Sequence, residues 1–542
     1  MHQAAYLLAF FALGSQFLAL IRDRLLAASF GAGHTLDVYY AAFRIPDFLF
    51  ATVASLLSLY AMLPVLSKIE NAHPGQTISF LRGALLFFFV AMGIVAGVIF
   101  VLAPVIVPLV APGISSDELV TLVRILLLQP ILLGASNIVA ALTQLRHRFV
   151  LYSISPLLYN LGIIFGIVVL YPHIGVTGLG WGVVIGALLH FGIQAPFFAA
   201  EKSDIGISFK QLRTSLWEVL KLSVPRTLAL GAGQISLLAL VAIASFFEPG
   251  SIAVFMFAYN LQAVPLTIIG VSYSVAAFPT LARLHASGQK EDFAKHIETA
   301  LRHIVLWSIL ATVFVIVMRA QLVRVILGSG AFDWTATRLT AAALALFILS
   351  LVAQSAMLLI ARVYYAAGNT VKPLLFGLTD VVISVVSAVV FLQIFQHSEF
   401  FRMFIESILR VGDVPGSIVL MLALGYALGS IVEFLISFRF FMKDFSLPLK
   451  GLGRLVFEIF SASVIGSGVS YLLLAFFAKL VDINTTTGIL TQGGVAGLGG
   501  LAMAGYILTI LGNTEFAEAM SAVKRRFSPA RTMLEPSDIA SS

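Results

Sequence analysis

Long apolar runs, roughly fourteen of them, fill this chain almost from end to end, and no other feature limits its fold as strongly. They lie at about 4–30, 36–66, 79–111, 118–145, 150–171, 176–200, 214–247, 251–282, 296–328, 336–366, 373–396, 416–442, 453–481 and 492–513. Short polar or Gly/Pro clusters separate them, such as Gly31-Ala-Gly-His-Thr35, Asn71-Ala-His-Pro-Gly75 and Glu248-Pro-Gly250. Most runs exceed the ~20 residues needed to cross hydrocarbon, so tilted or protruding helices are expected. A chain that is 60% hydrophobic and 11% charged, with a mean hydropathy of +1.01, has more apolar surface than one soluble core can hide. A bilayer accepts that surface. The expected fold is an all-α polytopic membrane protein with 14 transmembrane helices.

Several function classes drop out. With 0 cysteines there is no disulfide, Cys-ligated zinc or Cys nucleophile. No HExxH, paired acidic metal motif, Ser nucleophile arrangement or phosphate-cradling Gly loop is present, so neither an enzyme nor a metal protein is expected. The net charge of +7 resides in loops and not in a soluble basic domain, which argues against nucleic acid and for anionic lipid. The first apolar run carries Arg22, Asp23 and Arg24 and reads as a first transmembrane helix, not a cleavable signal.

Loop charge alternates. Even-numbered loops carry Lys68, then Arg146 and Arg148, then Lys202, Lys210 and Arg213, then Arg283, Lys290 and Lys295, then Arg362 and Lys372, then Lys443, Lys450 and Arg454. The C-terminal tail adds Lys524, Arg525, Arg526 and Arg531. Odd-numbered loops, such as Ser115-Ser-Asp-Glu118 and Asp482-Ile-Asn-Thr485, are poor in cations. The positive-inside rule then puts both termini in the cytoplasm. The long loop at about 397–415 holds Phe400, Phe401, Met403, Phe404, Ile408 and Leu409 between charges, which predicts an amphipathic interfacial helix. The tail beyond Phe527 is polar and expected to be disordered.

Landmarks recur at an offset of about 216 residues, the hallmark of an internal repeat. Ala42-Phe-Arg44 aligns with Ala258-Tyr-Asn260, Leu63-Pro-Val-Leu66 with Phe278-Pro-Thr-Leu281, Arg146 with Arg362, and Pro156-Leu-Leu-Tyr-Asn160 with Pro373-Leu-Leu-Phe-Gly377. The offset spans six helices, so both copies share one orientation. The expected organisation is a six-helix N-lobe (1–205), a six-helix C-lobe (206–445) in a parallel pseudo-twofold repeat, two extra helices (446–514) and a cytoplasmic tail (515–542). Transporters built this way bind substrate between lobes and rock them alternately. Pro46, Pro104, Pro130, Pro265 and Gly270 supply kinks.

The few charges inside apolar runs carry the functional information, because each is costly unless paired or wetted. Asp37, Tyr40, Arg44 and Asp47 recur at spacings of three and four and share one face of the second helix. Arg22 and Arg24 lie at similar depth on the first. With Asp23 they form a cluster of three Arg and three Asp. Two readings stand: an ion-pair lock between helices (Arg24, Asp23, Asp47), or an anion site (Arg22, Arg44) suited to bidentate contact with a pyrophosphate. Asp37 could also cap the second helix. Arg226 could meet a phosphate or snorkel. Asp380 could hold a coupling cation or proton, or simply bond between helices, as Glu433, His190 and Gln194 are expected to do.

Arg22-Asp23, Phe30-Gly-Ala-Gly33 and Asp37-Val-Tyr-Tyr-Ala-Ala-Phe-Arg-Ile-Pro46 resemble the start of the lipid II flippases (MurJ/MviN type), of the multidrug/oligosaccharidyl-lipid/polysaccharide exporter superfamily. Ser155-Pro-Leu-Leu-Tyr-Asn160, Gly233-Gln-Ile-Ser236, Phe278-Pro-Thr-Leu281 and Gly368-Asn-Thr-Val-Lys-Pro373 resemble later motifs of that family. The resemblance implies alternating access around a central cationic cavity in the bacterial inner membrane. The substrate it implies would be an undecaprenyl-pyrophosphate-linked peptidoglycan precursor, moved from inner to outer leaflet. By the same resemblance Arg22, Gln16 and Asn260 stand at substrate-facing positions; with Arg44, Arg24 and Asp37 of the polar cluster they make the candidate substrate-binding set, while the resemblance has Gln234 and Asn160 line the cavity and the last two helices hold the polyprenyl tail. Gln16 and Asn260 stand where the family has arginines, Phe50 likewise, and Ala54-Ser55-Leu56 and Ala263 where it has acidic motifs. Two other readings therefore stay open: a flippase for another polyprenyl-linked glycan or a cation-coupled drug exporter, and a non-transporting scaffold. No cofactor is implied beyond an ion gradient or membrane potential. The implied partners are the lipid-linked oligosaccharide, membrane lipids and cell-wall synthesis proteins.

Overall fold

A computed structural model describes residues 2–527 apart from 58, 115, 202–205, 448–450 and 483–484. The tail beyond Phe527, Lys202, Lys450 and the Arg226 side chain lie outside the described residues. Every regular element among the described residues is helical. Counted in chain order, the long helical stretches are span 1 (His2–Phe30), span 2 (His34–Ala72), span 3 (Thr77–Val110), span 4 (Asp117–Leu145), span 5 (Phe149–Ile174), span 6 (Val176–Ala200) and span 7 (Phe209–Ala244). They continue as span 8 (Ser251–Ala286), span 9 (Lys290–Ile326), span 10 (Trp334–Ala366), span 11 (Val371–His397), span 12 (Ser417–Phe445), span 13 (Leu452–Phe477) and span 14 (Thr486–Ile510). Among the described residues, 12 helices are long and apolar enough to cross a membrane.

Span 2 breaks at Ala54–Leu57 and span 8 at a π-turn, Thr267–Val271, just after Pro265. These two spans correspond in the sequence repeat. Small residues set the closest helix contacts, as expected where lipid gives no hydrophobic drive to associate. A Cβ on Gly162 of span 5 would lie 2.2 Å from the Gly186 Cα of span 6. In the corresponding spans 11 and 12, a Cβ on Gly425 would lie 2.5 Å from the Ala388 Cα. Spans 13 and 14 approach through Gly466 and Gly500 in the same way.

The interfacial helix forms at Glu399–Leu409 and displays Phe400, Met403, Phe404 and Ile408 outward. One further helix, Thr514–Phe527, begins inside what the sequence presents as a tail. It is anchored by Glu515, which accepts from Arg302 of span 9 at 3.0 Å. At the cation-poor ends the two halves meet backbone to backbone. Ala331 donates to the Ala28 carbonyl at 2.8 Å. A Cβ on Gly250 (φ +97) would lie 2.2 Å from the Ala32 carbonyl oxygen, so this contact requires glycine for both conformation and space.

Candidate functional site

Span 1 delivers Arg22 and Asp23 to the middle of the bundle, and span 2 delivers Tyr39, Tyr40, Phe43, Arg44 and Asp47. Span 4 adds Gln129, span 5 adds Tyr159 and Ile163, and span 8 closes the space with Met256 and Asn260. Together they surround a cavity of about 190 Å³. That is below the ~300–1,000 Å³ of ordinary ligand pockets, so it suits an anionic group or a few waters and not a large headgroup.

Both cavity arginines sit beside a carboxylate. Arg22 donates through Nε and Nη2 to Asp23 Oδ1 at 2.9 and 2.8 Å, and through Nη1 to Asn160 Oδ1 at 3.1 Å. Asp23 Oδ2 accepts from Asn260 of span 8 at 3.3 Å. Arg44 donates to Asp47 at 3.2 Å and to the Tyr40 carbonyl at 3.2 Å. Formal charge in the cavity therefore cancels: two arginines against two aspartates. The polar network is nonetheless incomplete. Among the described residues, Arg44 Nη1, Tyr40 Oη and Gln129 Oε1 are buried with no hydrogen-bond partner, and all three residues line this cavity. Buried polar atoms are rarely left unmatched, so a polar guest or ordered water is needed to meet these three.

The expected six-residue ion cluster is thus reduced to four. Arg24 points away from the cavity and donates to the Val325 carbonyl of span 9 at 2.5 Å, supplying a partner for a helix-end carbonyl. Asp37 does not cap its own helix, whose N-cap is Gly33. Its carboxylate instead accepts from the backbone of Gly250 at 2.5 Å and Ala253 at 2.8 Å, capping span 8. Gln16 lies six residues before Arg22, half-buried and outside the cavity wall. Gln234 also lies outside that wall. Asn260 and Asn160 do reach the arginine–aspartate network. Periodicity could not reveal Tyr39, Gln129, Tyr159 and Met256 as cavity residues. They are ordinary core types whose exposure to the cavity depends on how helices cross.

Other embedded polar groups bond between helices. Gln194 donates to Ser136 at 2.8 Å and Ser155 at 3.2 Å, and His190 Nδ1 lies 2.7 Å from Ser136 Oγ, which ties spans 4, 5 and 6. Asp380 Oδ1 accepts from Ser384 at 3.2 Å and from Ser430 of span 12 at 3.3 Å. The three hydroxyl and carboxylate groups converge, and Glu433 follows Ser430 by three residues on the same helix.

A bundle of membrane-length helices around a polar, partly unmatched cavity, where span 8 meets spans 1, 2, 4 and 5, is the architecture of a polytopic membrane transporter. The family model described as "Lipid II flippase MurJ" matches residues 26–486, and the chain belongs to that family. It is 26% identical over 402 residues to the lipid II flippase MurJ of Burkholderia cenocepacia, covering 72% of this chain and 78% of the relative. It is 26% identical over 394 residues to the probable lipid II flippase MurJ of Rhizobium tropici, covering 69% and 72%. A solved lipid II flippase MurJ in an inward closed conformation superposes with a TM-score of 0.71 at 20% identity, covering 93% of this chain and 99% of that one. An inward-facing multidrug transporter of the MATE family superposes at 0.66 with 15% identity, covering 80% and 94%. These structural likenesses establish the fold alone.

Proposed function

We propose that this chain is a flippase that carries lipid II from the cytoplasmic to the outer leaflet of the bacterial inner membrane. The observation that carries the reading is the cavity wall itself. Arg22 and Arg44 face one space, and Arg44 Nη1, Tyr40 Oη and Gln129 Oε1 lack partners there. A pyrophosphate brings acceptor oxygens for the guanidinium and phenol. Arginine suits this task because it stays charged when partly dehydrated and bonds bidentately.

The proposed cycle opens the cation-rich face, which is the cytoplasmic one by the loop charges, while the Asp37 cap holds the opposite face shut. The headgroup enters between the halves and its pyrophosphate draws Arg22 and Arg44 from their aspartates. Span 8 then swings away from span 2 and the outer face opens. The polyprenyl tail stays in lipid throughout, alongside spans 13 and 14. Asp380, with Ser384 and Ser430, is the proposed seat of a coupling cation or proton. The proposed partners are lipid II, membrane lipids and the cell-wall synthesis proteins that use the product, with both termini in the cytoplasm.

The test is headgroup translocation in vesicles holding purified protein and fluorescent lipid II. Transport is expected in the parent and lost in both Arg22→Ala and Arg44→Ala at normal insertion. Unchanged transport in both variants would make the cluster a structural lock. A second reading, cation-coupled drug export, draws support from the two aspartates that cancel the cavity's positive charge. Drug efflux that falls in Asp23→Asn and Asp47→Asn, with no lipid II movement in the parent, would favour it.

A further inference from the structure

We infer that a groove on the lipid-facing side of spans 3, 4 and 6 is a binding site for an anionic phospholipid, with Arg124 holding the phosphate. The groove has a volume of about 500 Å³ and is walled by Gly93, Gly97, Phe100, Arg124, Ile125 and Trp181 among others. Nothing lies within 4 Å of where a Cβ on Gly93 or Gly97 would stand, so the floor is open and smooth. Trp181 is 42% exposed and stands five residues into span 6, near the cation-poor end, where tryptophan favours the membrane interface.

Arg124 is the unusual member. Its Nε donates to the Phe100 carbonyl at 3.0 Å, and its Cζ lies 4.8 Å from the Phe100 ring centroid. The first contact has a structural cause. Pro104, four residues after Phe100, has no N–H to give that carbonyl, and Arg124 supplies one. A neutral donor would serve equally well, so the kink does not explain the charge. The same contact holds the guanidinium down instead of letting it snorkel to the headgroups. Phe100 lies about 15 Å along the helix from the end of span 3, whereas Arg124 lies only about 10 Å along from the start of span 4. No ion pair to Arg124 occurs among the described residues, and its side chain lines the groove. An unpaired guanidinium at a hydrocarbon-facing wall is costly. One phosphate, with an acyl chain laid over Gly93 and Gly97, removes the cost and fills the apolar floor. Charge complementarity therefore selects an anionic lipid over a zwitterionic one.

The test uses Trp181 as the reporter. Purified protein is mixed with dibrominated phosphatidylglycerol or dibrominated phosphatidylcholine, whose bromines quench tryptophan on contact, and W181F supplies the signal of the other tryptophans. Trp181 is expected to be half-quenched at about fivefold lower mole fraction of phosphatidylglycerol, the ratio one basic side chain adds against an anionic headgroup. R124Q keeps a donor for the Phe100 carbonyl. It should lose this preference while phosphatidylcholine still quenches as before. G97L should weaken quenching by both lipids. Equal quenching by the two lipids in the parent, or a preference that survives R124Q, overturns the assignment. So does undecaprenyl diphosphate displacing the brominated lipid when phosphatidylglycerol cannot, since the groove would then belong to the carrier.

Discussion

Asp37 should hold the cation-poor face shut, and removing its carboxylate should open that face measurably. The carboxylate accepts from Gly250 at 2.5 Å and from Ala253 at 2.8 Å, and it is 4% exposed. Hydrogen bonds to a charged group contribute about 1.5–3 kcal/mol each. The positive end of the helix dipole adds about 0.3–1 kcal/mol. Water replaces part of this when the face opens, which leaves roughly 3 kcal/mol in favour of the closed arrangement. A change of that size moves a two-state equilibrium about 150-fold. The chain has 0 cysteines, so a single introduced thiol reports without background. Val254 suits the purpose: it is 2% exposed and lines a small cavity at that face beside Ala32 and Gly250. A membrane-impermeant maleimide should modify V254C slowly and D37A/V254C far faster. D37N keeps one acceptor oxygen without the charge and should fall between them. If D37A changes the labelling rate by less than about twofold, the cap does not govern opening and the reasoning fails.

Three further outcomes follow from the same geometry. R22Q should leave Asp23 unpaired and Asn160 without its donor, stopping transport at a stability cost of about 1–3 kcal/mol. That is less than the ~3–5 kcal/mol of a fully buried pair, because the arginine side chain keeps 21% exposure; flux and thermal melts check both parts. R24Q should transport normally, since among the described residues Arg24 donates to the Val325 carbonyl, away from the cavity; a transport defect as deep as that of R22Q would return Arg24 to the site. G162L should push spans 5 and 6 apart, because even a Cβ would lie 2.2 Å from the Gly186 Cα, and the overpacking cost of about 1–3 kcal/mol should lower the melting temperature.

Hydropathy made the spans legible because bilayer thickness forces a run length that no other constraint imitates. Their boundaries shifted by a few residues, as with the predicted 214–247 that begins at Phe209. That helix starts at a capping box built from Ser208 and Gln211, polar residues that a hydropathy window discards. The recurrence at about 216 residues stands out because proline and arginine recur against a background of aliphatic residues. The site was readable only in part. Spacing on one helix put Asp37 and Arg44 on a common face, and the structure keeps them there. Yet Asp37 lies in the first turn of its helix, level with the first turn of span 8, whereas Arg44 lies two turns deeper, level with Asn260. Depth separates a cap from a cavity residue, and depth depends on the axial offset between helices, which no single helix encodes. Arg24 differs from Arg22 by two positions, or about 200° around an α-helix, which alone sends it to the opposite side.

The neutral cavity has a mechanistic consequence. An empty site holding two bare guanidinium groups in the membrane interior would be unstable, and partner aspartates remove that penalty. They also set a threshold for loading. A pyrophosphate can take Arg22 only by outcompeting Asp23, whose second oxygen is already held by Asn260 from the opposite half. Losing Arg22 raises the cost of leaving Asp23 buried, and Asn260 is the contact through which that cost reaches span 8. In the proposed cycle, binding on one half is therefore coupled to the grip between halves by the same aspartate. Replacing Asn260 with leucine should break this link: substrate would still bind at Arg22 and Arg44, but opening of the far face, read by V254C labelling, would no longer respond to it. A response to lipid II that persists in N260L would locate the coupling elsewhere in the bundle.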